Sequence, residues 1–542
     1  MKISSMHKKI AVLGATALAA LAFTTAPTVA HAAPACDGKV PVSSCVGATS
    51  DGAPYSMMVP ANFNGTVYLW SHGYRYNVDL PAAIPLIGGY KVTNTPEPGP
   101  SAAVIGYLLG KGYAVMGSGF ARQGWNADSG VATDVELINT FKTQFTKTTK
   151  VIAWGASLGG FITQGLAEKI GTQLSAAAPL CMATSTVEAQ LKYAGDFLWG
   201  LKTLFDPSIK AGNYSAGLAG YAEAMGDIGK VFTVMGKLQA GIGKELATSV
   251  PTWPDTTPAP VAAALGKIPA RSALLMLGLM AGLPTQSAHF DGTTGPGSSN
   301  TSSYTGFSIL GSPALAVLEN GTTAAALAIL ATLDVEQQSG GAIFDNTKTD
   351  YAAQLGSDAS TFNAALSGSQ ATAGMLGVIA ASPRATGNPA AMAKMRSLLQ
   401  WTGKVSVPTV TMVGVADMVT PAGASTYLAN KYVAQYAAQI KTNLKNHTPR
   451  GPSNLISIYN LTPTHYTTFD AAGSPVTSTA AANGTNHCNF TTKQFTTVAD
   501  LLAYASITGR HMSGGALLTA VRKMGGSTAD PKFTAVLPKF YS

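Results

Sequence analysis

The feature that most constrains this chain is a strand–helix rhythm that begins, stops, and resumes far downstream. Four short apolar runs read as buried strands: Gly65–Gly73 (GTVYLWSHG), Tyr113–Gly117 (YAVMG), Val151–Trp154 (VIAW) and Leu174–Cys181. Between them, Ala102–Leu109 and Val131–Thr146 carry apolar residues at helical spacing, and a further helix is expected from Leu158 onward. Strands that alternate with helices argue for an α/β fold whose mostly parallel sheet is covered on both faces. From Met182 to Gln400 the rhythm breaks into Ala-, Gly-, Leu- and Met-rich sequence of helical periodicity. The loops Thr252–Pro260 and Gly292–Thr305 interrupt it, and it shows no clear repeat. Strand patterns return at Val407–Val415 (VPTVTMVGV) and Asn454–Tyr459, too few to form a domain alone. The expected organisation is therefore one core, 34–183 and 401–542, with a helical cap at 184–400 inserted after the fourth clear strand.

The first 33 residues read as a leader rather than as fold. Lys2, Lys8 and Lys9 precede an apolar run from Ile10 to about Phe23, and Ala30-His31-Ala32 supplies small residues for cleavage near Ala32 or Ala33. The run is short of the ~20 residues a membrane span needs. The strongest later run, Ser272–Leu283 (SALLMLGLMAGL), is shorter still, so no integral span is expected after leader removal. The expected location is secreted, periplasmic or at the cell surface. Removing the three lysines takes the net charge from +9 to +6, a mild excess with no dense Lys/Arg run, and so no nucleic-acid partner is expected. Charged residues make up 11% and hydrophobic ones 46%. That balance excludes a disordered chain, which needs the reverse.

Four cysteines follow the leader: Cys36, Cys45, Cys181 and Cys488. An even count in an exported chain points to disulfides, and three pairings are open. Cys36 and Cys45 lie close together in a Gly/Pro/Ser-rich segment, so a small local loop is the simplest pairing. It leaves Cys181 with Cys488, either joined or as two buried thiols.

Gly155-Ala156-Ser157-Leu158-Gly159 matches G-x-S-x-G. The pattern alone is weak, because the Gly and Ser content of this chain yields about half a match by chance. Its setting is more specific: the strand VIAW precedes it and the helix FITQGLAEKI follows, the strand–turn–helix context of a nucleophile elbow. Gly155 and Gly159 are expected where a tight turn has no room for side chains. Ser157 would then present its hydroxyl at a helix start, where backbone N–H groups favour developing negative charge.

A serine hydroxyl needs a base. His7 and His31 leave with the leader, His72 precedes the serine beside Gly73, His289 and His447 lie in loops, and His511 follows a helix. His465 and His487 come after the last strand. His487, in GTNHCNF before a helix at about Thr492–Ala505, is preferred because such a loop can reach back over the sheet's carboxyl edge. The third partner, which orients the imidazole, is expected to be Asp417, one residue past the strand VPTVTMVGV and at its carboxyl end. Asp470 and Asp500 are its rivals. Oxyanion donors are expected from the N–H of Leu158 and of Tyr74, in the Ser71-His72-Gly73-Tyr74 turn, with His72 as a structural turn residue.

With these residues in view, the chain resembles secreted α/β-hydrolase-fold serine hydrolases of bacteria. The resemblance rests on NGTVYLWSHGY at Asn64–Tyr74, LLGKGYAV at Leu108–Val115, WGASLGG at Trp154–Gly160 and HCNF at His487–Phe490. The order Ser157, Asp417, His487 is the order expected of that fold. The resemblance implies ester or amide hydrolysis through an acyl-enzyme. Tannase and feruloyl-esterase relatives join a cysteine just before the serine to one just after the histidine. Here His487-Cys488 fits, but Ala156 precedes Ser157, which leaves Cys181 as the substitute partner that would clamp the histidine loop to the sheet.

No H-E-x-x-H, clustered Cys/His set or phosphate loop is present, so no metal or cofactor is expected. The apolar stretches Leu274–Met280, Phe197-Leu198-Trp199 and Leu327–Leu333 in the cap suit either a hydrophobic substrate or the cap's own core. The expected activity is a carboxylesterase or lipase-like one on a small-molecule or polymeric ester. A peptidase or aminopeptidase, acyl transfer, or a non-catalytic binding protein of the same fold are the alternatives.

Overall fold

A computed structural model describes residues 34–541 apart from 86, 296–309, 448–452 and 472. The leader expected at 1–33 lies outside the described residues. Ten strands form one sheet: β1 (Ala35–Cys36), β2 (Val42–Ala48), β3 (Pro54–Pro60), β4 (Thr66–Ser71), β5 (Ala114–Ser118), β6 (Lys150–Ala156), β7 (Ala176–Leu180), β8 (Thr409–Gly414), β9 (Leu455–Asn460) and β10 (Ser527–Thr528). Their spatial order is β1-β2-β3-β5-β4-β6-β7-β8-β9-β10. The six strands from β5 to β9 in that order pair in parallel, while β1, β2 and β3 at one edge and β10 at the other pair antiparallel. This is the α/β-hydrolase architecture: a mostly parallel sheet between helical layers.

Alternation along the strands builds two separate cores. Val67 and Leu69 of β4, with Ala153 of β6, face one layer, which includes helices α2 (Ala127–Gln144) and α3 (Leu158–Ile170). Tyr68 and Trp70 of β4, with Ile152 and Trp154 of β6, face the other, built on α1 (Ala102–Gly110) and the helix Thr492–Thr508. Every residue of β4, β5 and β7 is buried, which is why these strands read as continuous apolar runs rather than as alternating ones.

The N-terminal strands were not anticipated. β2 (VSSCVGA) is only half buried and rich in serine. In β3, buried Tyr55, Met57 and Val59 alternate with Ser56 and Met58, a pattern spread over seven residues that begin and end with proline. These strands form an antiparallel edge ahead of the parallel series.

β7 and β8 are neighbours in the sheet, with Ala177 opposite Thr409 and Leu180 opposite Met412. The chain between them is helical: α4 (Val187–Leu204), α5 (Gly217–Thr248), α6 (Ala259–Leu265), α7 (Ala270–Ala281), the long helix Ser312–Ser339 and four shorter helices as far as Arg396. It has its own core, in which Phe197, Leu274, Leu277, Val317 and Ile329 are packed. Helix α7 is buried at all twelve positions, so it is the centre of the insertion. A longer apolar element than Ser272–Leu283 is the helix Ser312–Ser339. By length and composition alone that helix could cross a membrane, yet 78% of its most apolar window is buried inside the insertion.

Candidate active site

Ser157 stands at the junction of β6 and α3. Its backbone takes φ +60° and ψ −124°, a conformation that side chains adopt rarely and at a cost. The turn is held by its neighbours: Ser157 N–H donates to Leu180 O at 3.1 Å, and Phe161 N–H donates to Ser157 O at 3.1 Å. Both flanking glycines are required sterically. A Cβ at Gly155 would stand 2.5 Å from Gly159 O, and one at Gly159 would stand 1.9 Å from Ser71 O.

The imidazole of His487 reaches this hydroxyl from the loop after β9, with Nε2 2.7 Å from Ser157 Oγ. Its Nδ1 lies 3.0 Å from each carboxylate oxygen of Asp417. With Asp417 ionised, Nδ1 carries the proton and Nε2 is free to accept from the hydroxyl. Asp417 is 1% exposed, and a buried carboxylate must be bonded all round. It accepts from Val419 N–H and Thr420 N–H at 2.9 Å each, from Cys488 N–H at 3.0 Å and from Thr420 Oγ1 at 3.2 Å. The carboxylate thus caps its own turn, two and three residues on. In doing so it ties the end of β8 to the histidine loop.

That loop is fixed at two further points. Thr485 bridges to Ala416 beyond β8, and Ala416 N–H donates to Gly484 O at 2.9 Å. Cys488, next after the imidazole, is disulfide-bonded to Cys181, the residue after β7, with Cα atoms 5.6 Å apart. The other bond joins Cys36 to Cys45. Asn486 and Cys488 both take positive φ on either side of His487. The Asp417, His487 and Cys488 donor atoms lie within 4.8 Å of one another, but a disulfide sulfur offers no thiolate to a metal.

The Ser71–Tyr74 turn closes the site on the other flank. A Cβ at Gly73 would meet Ser157 Cβ at 3.2 Å and Oγ at 3.8 Å, so the backbone leading to Tyr74 passes against the serine. Leu158 opens α3, where N–H groups have no partner within the helix. Beneath the turn, Ser71 Oγ donates to Asp134 Oδ2 at 2.7 Å. Asp134 is fully buried, and loss of water raises its carboxyl to about 7 against the lowering effect of Ser71. His72 is buried against Phe120, with ring centroids 4.7 Å apart, and its Nδ1 lies 2.7 Å from Gly73 O. Burial, with nearby Arg75, lowers it to about 4, so it is a neutral turn residue at pH 7.

The rival residues stand elsewhere. Asp500 pairs with Lys111 at 2.6 Å and with Tyr107 Oη at 2.8 Å. Asp470 accepts from Ser474 N–H at 2.8 Å. His465 lies beside Thr293 and Thr294, His289 pairs with Glu319 at 2.5 Å, and His511 lies 2.9 Å from Asn454 O.

A cavity of about 50 Å³ opens onto Ser157. Its core side is formed by Tyr74, Trp125, Leu158, Ala183 and Met418–Thr420. Its other side comes from the insertion: Gln190, Leu191, Tyr193 and Ala194 of α4, and Ala324, Leu327, Ala328 and Ala331 of the helix Ser312–Ser339. Of the three apolar cap stretches, only Leu327–Leu333 reaches this cavity. Leu274–Met280 and Phe197-Leu198-Trp199 pack the interior of the insertion instead. Thr420, Gln190 and the alanine face of the long helix were not singled out in the sequence. Only the D-x-x-T spacing from Asp417 to Thr420 was there to be read.

No family model and no curated protein matches this chain. Among solved structures it is similar to feruloyl esterase B from Aspergillus oryzae, at 11% identity over 87% of this chain and 82% of that one, with a TM-score of 0.36. An esterase from the same organism is similar at 12% identity over 77% and 71%, with a TM-score of 0.34. An esterase from Pyrococcus furiosus is similar at 13% identity over 28% of this chain, with a TM-score of 0.20, and the match spans 54% of that protein's length. These solved structures are esterases, at identities and TM-scores too low to add to what the side chains of the site show.

Proposed function

We propose that this protein is an exported serine hydrolase that cleaves carboxylic esters through an acyl-enzyme. The observation that carries this is the continuous hydrogen-bonded path from Ser157 Oγ through His487 to buried Asp417. In this reading His487 Nε2 takes the hydroxyl proton as Ser157 attacks the ester carbonyl, and it returns that proton to the leaving alcohol. Asp417 holds the imidazole in the tautomer with Nδ1 protonated and stabilises the imidazolium. The N–H groups of Leu158 and Tyr74 receive the oxyanion. Water then attacks the acyl-enzyme by the same proton relay, which releases the acid and restores the serine.

The acyl group is proposed to be apolar and short. The cavity beside Ser157 is lined by alanines, leucines, Met418 and aromatic rings, and about 50 Å³ accommodates only a few heavy atoms. Export is supported by the basic-then-apolar start of the sequence and by two disulfides, which persist in oxidising compartments. A panel of p-nitrophenyl esters from acetate to octanoate tests the activity. Turnover should be highest for the short acyl groups and should fall to background in Ser157→Ala. Full turnover by Ser157→Ala would remove this serine from the chemistry.

A further inference from the structure

We propose that the helical insertion carries a second binding site, separate from Ser157, for an amphipathic carboxylate such as a fatty acid anion. An open cavity of about 580 Å³ lies among the end of α4, the start of α6 and the segment 378–385. It shares no residue with the cavity at Ser157. Its walls are largely apolar, with Pro207, Pro258, Pro260, Val261 and Val378 among them. Prolines have no N–H to offer, so these walls suit hydrocarbon and leave the polar contacts to a few side chains.

Besides Thr203 and Ser382, those side chains are the cations Lys202 and Arg384. The guanidinium of Arg384 lies 5.1 Å from the Trp199 ring centroid and 4.8 Å from that of Tyr351. The two rings stack on each other at 4.9 Å. Among the described residues no carboxylate lies within ion-pair distance of Arg384, and its Nη1 is buried without a hydrogen-bond partner. Lys202, on the same cavity, donates among the described residues only to Lys210 O, at 3.3 Å. Asp196, which accepts from Tyr351 Oη at 2.9 Å, is already engaged by Lys192 at 2.7 Å. No acidic residue lines the cavity.

Arg384 and Lys202 line an apolar groove, and among the described residues neither has a counter-charge. A planar guanidinium without a counter-charge, held against aromatic rings, is pre-set to take a carboxylate. The apolar walls favour an acid with a hydrocarbon body over a bare anion. Helix α4 links the two cavities, with Gln190, Leu191, Tyr193 and Ala194 on one and Trp199, Lys202 and Thr203 on the other.

Titration calorimetry of octanoate into the full chain tests this, with octan-1-ol as the uncharged control. Octanoate should bind once per chain. Its affinity should fall about tenfold or more in Arg384→Gln, as expected on losing a charged hydrogen bond, and by a smaller factor in Lys202→Gln. Binding should persist after Ser157 is phosphonylated. The proposal is overturned if octanoate does not bind, if octan-1-ol binds equally well, or if binding vanishes when Ser157 is blocked. It is equally overturned if Arg384→Gln binds as tightly as the parent. Should Arg384→Gln fail to fold, Lys202→Gln decides the matter, since Lys202 gives up only one long bond, to Lys210 O at 3.3 Å; unchanged affinity there overturns the proposal.

Discussion

The two sides of the cavity at Ser157 are built on opposite principles. The core side consists of polar groups, each held by several bonds: Asp417 accepts from three backbone N–H groups, and the His487 loop is tied by a bridge, a backbone bond and a disulfide. The insertion side consists mainly of alanine and leucine on two helices, with little to fix an orientation. In the proposed reading, proton transfer falls to the rigid side, where displacement by an ångström is costly, and acyl selection to the apolar side, where small volume changes tune fit.

The contrast breaks most visibly if the rigid side tolerates substitution. Asp417→Asn keeps the shape but favours the wrong imidazole tautomer, and kcat on p-nitrophenyl acetate should fall by about 10⁴-fold. A loss below tenfold would mean that the carboxylate only braces the turn.

Removal of the two disulfides should separate clamp from ornament. Cys181–Cys488 closes a span of 307 residues beside His487, and Cys36–Cys45 closes one of 9 at the sheet edge. On chain-entropy grounds the long span is worth up to roughly 6 kcal/mol and the short one a little under half that. Thermal unfolding of the paired Cys→Ser variants should show the larger loss for Cys181/Cys488, together with a fall in kcat that the Cys36/Cys45 variant lacks.

The turn between the two sides should carry opposite pH dependences. Asp134 is raised to about 7, so between about pH 4 and 7 the folded state holds a proton that the unfolded state has lost. Stability contributed there falls as pH rises through that window. Asp134→Asn should therefore unfold at higher temperature than the parent at pH 8, with the difference shrinking towards pH 4. His72 is lowered to about 4, so its contribution is lost as pH falls from about 6.5 towards 4. Denaturant midpoints across pH 4–8 measure both.

The smallest effect is expected on the apolar side. Leu327→Ala should enlarge the cavity and raise the ratio of kcat/KM for butanoate over acetate by about tenfold, the usual worth of a methylene or two. An unchanged ratio would show that the long helix is not the acyl wall.

The rigid side was largely legible in the sequence, and the apolar side was not. Ser157, Asp417 and His487 each lie next to an abrupt change of pattern: the end of a buried strand, a glycine-bounded turn, or a loop before a helix. Tight turns demand particular residues at particular places, so they leave a trace. The insertion leaves none, because α7 is buried all round and hydrophobic periodicity cannot then say which face meets a substrate. For the same reason the apolar Leu274–Met280 proved to be interior packing, while the less conspicuous Ala324, Ala328 and Ala331 line the cavity. The antiparallel edge β1–β3 escaped notice because half-buried, serine-rich strands carry little hydrophobic contrast.

The central claim is that Ser157 is the nucleophile activated by His487. It is tested most directly by treating the full chain with a fluorophosphonate and mapping the adduct by peptide mass spectrometry. A single adduct on Ser157, formed at least 100-fold more slowly in His487→Ala, is the predicted result. An adduct on another residue, or one formed at the parent rate without the imidazole, would contradict it.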